Sequence, residues 1–511
     1  MMRRSWLWVC VELLSIAAIG RVSADEFDSI REKVRQAIVR QNIPSVAIAV
    51  ARDGKIIWEE GFGWADRERR RPATEHTMYS LASISKPITA TGLMVLKEQG
   101  KLDLDKPAND YLGNAQLRAC IGDVSGATVR RVANHTAGLA MHYQFFFRDE
   151  ASKPPTREES LRRYGLLITE PGERYQYANL GYGVLDEIIA HVSGKSYTDF
   201  MREAVFVPLG LTHMSIDVGP GLDEFVAIRY SGDGLPLAHY DFDHPGASAV
   251  YSSAHDLVRF GMFHLKTHLP DQAPILSDSA LDEMHAVTAS TGERDGSGYG
   301  VGWGTGKICG ETVISHSGGM PGVSTLLSLV PEHKLAIVVL VNSRANLVGS
   351  LTELILKQLV VDEKPSEQAA TDAGQTNVGG GAVADADDSP PKLGEVLAGT
   401  WEGKLETYEE EIPVKLWVLE SGDVHFQMGQ QLKSLVNDPH YKDGWIRGRL
   451  WGEIPTDDCR RLPHDLMLDL KHRGDRITGT VTAISRPTSR GGNALPHWID
   501  LKRQPNGDEK K

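Results

Sequence analysis

The chain has 511 residues, too many for one ordinary hydrophobic core, so two or more domains are expected. Hydrophobic residues make up 41% and charged residues 24%, the balance of a globular protein rather than a disordered one. A formal charge of -13 without a basic stripe excludes nucleic acid as the main partner.

Arg3 and Arg4 precede an apolar run from Trp6 to Ile19, and Val22-Ser23-Ala24 supplies small residues at a cleavage site. This predicts a signal peptide over 1–24 and an exported protein, periplasmic or extracellular, beginning at Asp25. The run is short for a spanning helix, so no stable membrane span is expected after cleavage. Glu12 inside the run leaves an uncleaved anchor as the alternative. Cys10 falls in this segment, and Cys120, Cys309 and Cys459 allow at most one disulfide within the chain.

Beyond the signal, Phe27, Ile30, Val34 and Ile38 recur at helical spacing. Val46–Val50 reads as a strand, Asp53-Gly54 as a hairpin turn and Ile56–Trp58 as the return strand. The segment from about 75 to 290 reads mostly as helix and loop. Two further strands, Val323–Val330 and Leu335–Asn342, and a helix through Leu351, Leu354, Ile355 and Leu359 follow. The economical architecture over 25–362 is α/β (α+β): an antiparallel sheet flanked by terminal helices, with an inserted helical lobe. Residues 363–394 carry Gly379-Gly-Gly381 and Pro390-Pro391 but few large apolar groups, so they read as a disordered linker. Over 395–505 the period becomes two, as in Val414, Leu416 and Val418, which predicts a small antiparallel, barrel-like β domain.

Chemistry concentrates in Tyr79-Ser-Leu-Ala-Ser-Ile-Ser-Lys-Pro-Ile-Thr-Ala90. Residues three apart share a helix face, so Ser83 and Lys86 can touch, and a serine needs a neighbour to take its proton. Ile88 and Leu93–Leu96 make the following helix apolar nearly all round, hence buried. Pro87 fits only a first helical turn, which places Ser83 at the positive end of that helix. Spacing alone is weak, because Ser389-Pro-Pro-Lys392 repeats it inside the linker.

Two more motifs accompany the first: Tyr177-Ala-Asn179 and His316-Ser-Gly318. Together the three resemble those of the penicillin-recognising serine hydrolases. The branch they resemble most is that of class C β-lactamases, D-Ala-D-Ala carboxypeptidases, D-aminopeptidases and esterases. Asn134-His-Thr-Ala-Gly-Leu139, Tyr251-Ser-Ser-Ala-His-Asp-Leu257 and Tyr299-Gly-Val-Gly-Trp303 resemble flanking signposts of that family in order, and the likeness covers roughly 28–360.

The resemblance implies that Ser83 attacks a carbonyl to form an acyl-enzyme, with Lys86 and Tyr177 sharing the proton work. Their ordinary pKa values lie near 10, so burial must lower that of the lysine and a nearby ammonium that of the tyrosine. Asn179 would orient Lys86 and hold the substrate amide, the N–H groups of Ser83 and Gly319 would form the oxyanion hole, and Ser317 would donate a hydrogen bond. His316 departs from the Lys-Thr-Gly of many β-lactamases. A partly cationic histidine anchors a carboxylate less well than lysine, which argues against efficient β-lactam hydrolysis.

The expected substrates are D-amino-acid peptides or amides, including peptidoglycan-derived ones, or carboxylic esters. The alternative is a catalytically weak penicillin- or peptidoglycan-binding protein that recognises its ligand through the C-terminal β domain. No cofactor is implied. His239, Asp241, Asp243 and His244 crowd together, but alternating carboxylates read as a solvated loop, so no metal site is assigned. Gly246-Ala-Ser-Ala-Val250 lacks the last glycine of a nucleophile elbow, which sets Ser248 aside.

Overall fold

The computed structural model describes residues 24–292, 296–361, 393–486, 488, 490 and 492–505. The expected signal peptide and linker lie outside these residues, apart from Ala24 and Leu393-Gly394, which open the short helices Ala24–Phe27 and Leu393–Leu397.

Alternation along single strands explains the main layer. After helix α1 (Asp28–Arg40), strand β1 (Ser45–Arg52) turns Val46, Ile48 and Val50 into one apolar cluster and Ala47, Ala49 and Ala51 into another. A strand buried on both sides must be covered on both faces. Asp53 and Gly54, with φ of 50° and 75°, then form the two-residue reversal into β2 (Lys55–Asp66). Helices α2 (Ser85–Glu98) and α3 (Asn179–Ser193) belong to the inserted lobe. The chain returns through β3 (Glu311–Met320), β4 (Val323–Val330) and β5 (Leu335–Val341) to helix α4 (Val348–Leu356).

Among the described residues the main sheet has nine strands, all antiparallel, with β3, β4, β5, β1 and β2 adjacent in that order. Terminal helices α1 and α4 pack on one face through Ile30, Val34, Leu351 and Ile355. The opposite face meets the lobe through Leu93, Leu257 and Phe260. This is the architecture expected from the sequence.

A second antiparallel sheet of nine described strands runs between Gly399 and Arg503. Its two outermost strands, Ser434–Leu435 and Asn437–Lys442, are separated in the chain only by Val436, so the sheet curls into a nearly closed barrel. Alternation is plain here: Ile412, Val414, Leu416 and Val418 are buried while the residues between them are exposed or half-buried.

The barrel is fastened to the lobe by polar contacts around one shared apolar cluster. Asp458 accepts from Arg163 Nη1 and from the Tyr164 hydroxyl, both at 2.6 Å, and Arg174 pairs with Asp469 at 2.6 Å. Tyr143 and Ala494 exchange backbone hydrogen bonds, the Tyr143 N–H at 3.2 Å and the Ala494 N–H at 2.9 Å. No helix among the described residues is long and apolar enough to cross a membrane.

Candidate active site

Ser83 stands in a short 3₁₀ turn (Ala82–Ile84) that feeds directly into α2. The residue before it, Ala82, has φ of 49°, a left-handed conformation that costs a non-glycine residue of order 1–3 kcal/mol. Neighbours hold the strain in place. Thr325 Oγ1 donates to Leu81 O at 2.9 Å, the Leu81 N–H donates to Val250 O at 2.8 Å, and Ser85 Oγ donates to Ala82 O at 2.7 Å.

Lys86 is fully buried one turn beyond Ser83. Its Nζ lies 3.2 Å from Ser83 Oγ, 2.8 Å from Asn179 Oδ1 and 3.2 Å from Ala247 O. The rings of Tyr177 and Tyr182 close the remaining sides at 4.6 and 5.6 Å. Those rings favour a cation by about 0.5–2 kcal/mol, whereas desolvating an ammonium costs several. Burial wins, and it holds the lysine pKa well below its ordinary value.

The contact set fits a neutral amine. Asn179 Oδ1 and Ala247 O can only accept, so they take the two N–H bonds and leave the lone pair for the Ser83 hydroxyl. The Asn179 amide is oriented by its other end, where Nδ2 donates to His142 O at 3.1 Å. Ala247 is placed by α3, because Asp186 Oδ2 accepts the Gly246 N–H at 2.7 Å while Oδ1 pairs with Arg157 at 2.5 Å.

Tyr177 differs from the sequence expectation. Burial raises the phenol pKa, and a hydrogen bond with Ser83 only partly opposes it. Burial therefore favours the protonated phenol, a form that can pass a proton to a leaving group as the resemblance implies. His135 packs against it at 4.4 Å between ring centroids, adopts φ of 64°, and accepts the Ala178 N–H on Nδ1 at 3.2 Å.

Strand β3 completes the floor. His316 and Gly318 point inward, while Ser317 and Gly319 occupy the exposed face. Here too the outcome is sharper than a partly cationic histidine. His316 Nδ1–H donates to Ser317 O at 2.8 Å, and Nε2 accepts the Tyr299 hydroxyl at 2.9 Å. Burial pushes its pKa down to about 3, which favours the neutral imidazole. At Gly318 a Cβ would fall 2.0 Å from Leu81 O and 2.2 Å from Thr325 Oγ1, whereas at Gly319 it would meet nothing within 4 Å. Gly318 therefore lets β3 approach the Ser83 turn, and Gly319 leaves the cavity open.

Ser83, Asn179, His244, Ser248 and Gly319 line a cavity of about 790 Å³. Its opposite wall is the barrel, through Arg449, Asp465, Met467 and Arg486. Tyr177 lies in a second cavity of about 730 Å³ that shares Arg449, Asp465 and Met467, so the same wall passes over both.

The cluster at 239–244 is split by the fold, and half of it corrects the solvated-loop reading. His239 and Asp241 are partly exposed, and Arg148 pairs with Asp241 and Asp217 at 3.2 and 3.0 Å, supplying the positive charge a metal would bring. Asp243 and His244 are buried beside His142, a partner 101 residues earlier that no local pattern reveals. Tyr299 and His135 fell inside quoted signposts, which gave their positions without their roles.

Comparison with known proteins agrees with this geometry. The profile of the family described as Beta-lactamase matches residues 30–360. Penicillin-binding protein 4* of Bacillus subtilis (strain 168) is 28% identical over 321 residues, covering 58% of this chain and 67% of the relative. Among solved structures, the octameric penicillin-binding protein homologue from Pyrococcus abyssi superposes with a TM-score of 0.57 at 20% identity, covering 93% of this chain and 99% of that one. EstCE1, a hydrolase with promiscuous acyltransferase activity, superposes with a TM-score of 0.56 at 20% identity over 66% of this chain and 98% of its own.

Proposed function

Since the chain belongs to the β-lactamase family, and so to a superfamily of serine hydrolases, we propose that it is an acyl hydrolase whose nucleophile is Ser83. Its substrates in this reading are D-amino-acid-containing peptides or amides, or carboxylic esters. The observation that carries it is the buried Lys86 Nζ, held by two carbonyl oxygens 3.2 Å from Ser83 Oγ. As Ser83 Oγ attacks the carbonyl carbon, its proton passes to Lys86 Nζ and on through Tyr177 to the leaving group. The backbone N–H groups of Ser83 and Gly319 receive the developing oxyanion.

Two features bear on substrate choice. His316 is neutral and engaged with Tyr299, which supports peptide, amide or ester substrates over efficient β-lactam turnover. The barrel wall supports a restriction on substrate size, because it stands across the cavity from Ser83. Export to the periplasm or beyond is part of the same proposal and rests on the leader sequence alone.

Labelling with a fluorophosphonate probe and locating the adduct tests the chemistry. The adduct is expected on Ser83, lost in Ser83→Ala and strongly slowed in Lys86→Ala. An adduct on Ser248, or none on the folded chain, overturns the mechanism. D-Ala-D-Ala peptides, D-aminoacyl amides, short acyl esters and cephalosporins, assayed in parallel, then rank the substrates.

A further inference from the structure

Asp243 is a buried carboxylate held between two imidazoles. His142 Nε2 lies 2.7 Å from Asp243 Oδ2 and His244 Nδ1 lies 2.5 Å from Asp243 Oδ1, with side-chain exposures of 1%, 0% and 1% for His142, Asp243 and His244. Among the described residues no lysine or arginine pairs with Asp243. The two histidines hold its pKa far below the ordinary carboxylate value, so it is ionised. An ionised carboxylate only accepts, which fixes both tautomers: His142 donates through Nε2–H and His244 through Nδ1–H. In a neutral His244 this leaves the lone pair on Nε2.

The two remaining ring nitrogens have different surroundings. His142 Nδ1 is sealed in the protein without a partner, and the backbone carbonyl of the same residue is what orients Asn179. His244 lines the cavity that contains Ser83. Its side chain is 1% exposed, and among the described residues no group bonds to its Nε2, which leaves that nitrogen for a molecule in the cavity. A histidine with a carboxylate behind one nitrogen and no protein partner on the other is the arrangement of a general base. Burial lowers the pKa of this imidazole, which favours the neutral form a base requires.

We propose that His244, backed by Asp243, is a second base of this active site, which activates the water that releases the acyl group from Ser83. The proposal rests on the acyl-enzyme reading above and divides its two half-reactions between two bases. Lys86 serves acylation, because its Nζ lies 3.2 Å from Ser83 Oγ. After acylation that oxygen is the ester oxygen, and His244 Nε2 offers the incoming water an acceptor on the cavity wall. The water oxygen bonds to the acyl carbon as its proton moves to His244 Nε2. The tetrahedral intermediate then collapses, the bond from carbon to Ser83 Oγ breaks, and the imidazolium returns the proton to Ser83 Oγ by way of Lys86. Acid and free serine are the products, with no net proton gained or lost by the protein.

The full chain with 4-nitrophenyl acyl esters and a fluorophosphonate probe separates the steps. In His244→Gln and Asp243→Asn, probe labelling of Ser83 is expected to stay within about twofold of the parent, while ester turnover falls roughly 10²-fold or more. Intact mass should then show acylated Ser83 accumulating at steady state. In His244→Gly, added imidazole should restore turnover, which a merely structural residue would not allow. Labelling and turnover falling together, turnover unchanged, or no rescue in a folded variant overturns the proposal. So does turnover that EDTA abolishes and zinc restores, which would make the three side chains metal ligands. If the parent chain forms no Ser83 adduct at all, the acyl-enzyme reading fails first, and that result is distinct from any of these.

Discussion

The two walls of the main cavity are built on opposite principles. On the floor, Lys86, Asn179, Asp243 and His244 are bonded on fixed partners, and Ala82 holds a strained turn. On the roof, Arg486 pairs with Asp465 at 3.0 Å, the two side chains 43% and 38% exposed, and its guanidinium lies 4.3 Å from the Trp451 ring centre. Desolvated groups gain or lose several kcal/mol with each partner, while an exposed ion pair is worth about 0–1 kcal/mol. Over-determined geometry gathers on the floor beside Ser83, and the roof is where a change is cheap.

The largest effect that would break this contrast is at Lys86. Lys86→Met keeps the volume but removes the base, and labelling of Ser83 is expected to fall about 10²–10⁴-fold. In the parent, labelling should rise with pH through an ionisation well below the ordinary lysine value of 10.5, and that limb should vanish in the variant. Stability carries the same sign. With the folded pKa lowered, the unfolded chain binds more protons below pH 10.5, so stability rises with pH across that window. Urea unfolding of parent and Lys86→Met at several pH values measures it.

Next in size is the pair of glycines on β3. Gly318→Ala drives a methyl into Leu81 O, so a loss of about 1–3 kcal/mol and a slower labelling rate are expected. Gly319→Ala has open space before it and should stay within about 0.5 kcal/mol of the parent, with its effect confined to substrate KM. Equal melting losses in the two variants would erase the distinction between support and cavity.

The smallest effect belongs to the roof. Arg486→Ala should leave turnover of a short ester within about twofold, since the pair it removes is exposed and weak. Its effect should appear as altered KM for longer peptides that fill the cavity. A large loss on the short ester would mean that the roof takes part in the chemistry.

Much of the floor was legible in the sequence because its signals are local. Val323–Val330 was read with the bounds observed, and Asp53-Gly54 named its own turn. Ser83, Lys86, Tyr177 and Asn179 could be gathered because each sits in a short motif. Their protonation was not legible, since the raised pKa of Tyr177 depends on burial that no motif records. His142 and Asp243 meet across 101 residues, and alternating carboxylates at 241 and 243 look solvated until the fold exposes one and buries the other. The roof was invisible for a similar reason: period two predicts a barrel but not which of its strands faces Ser83.

The exchange of two backbone hydrogen bonds between Tyr143 and Ala494 has a consequence for inheritance. Tyr143 follows His142, whose carbonyl orients the amide that holds Lys86. A recombination that traded this barrel for a foreign one would tug on that carbonyl before it altered any substrate contact. These two bonds join the Asp458 and Asp469 contacts in one seam, and a chimera must rematch that seam before it can acquire a new specificity.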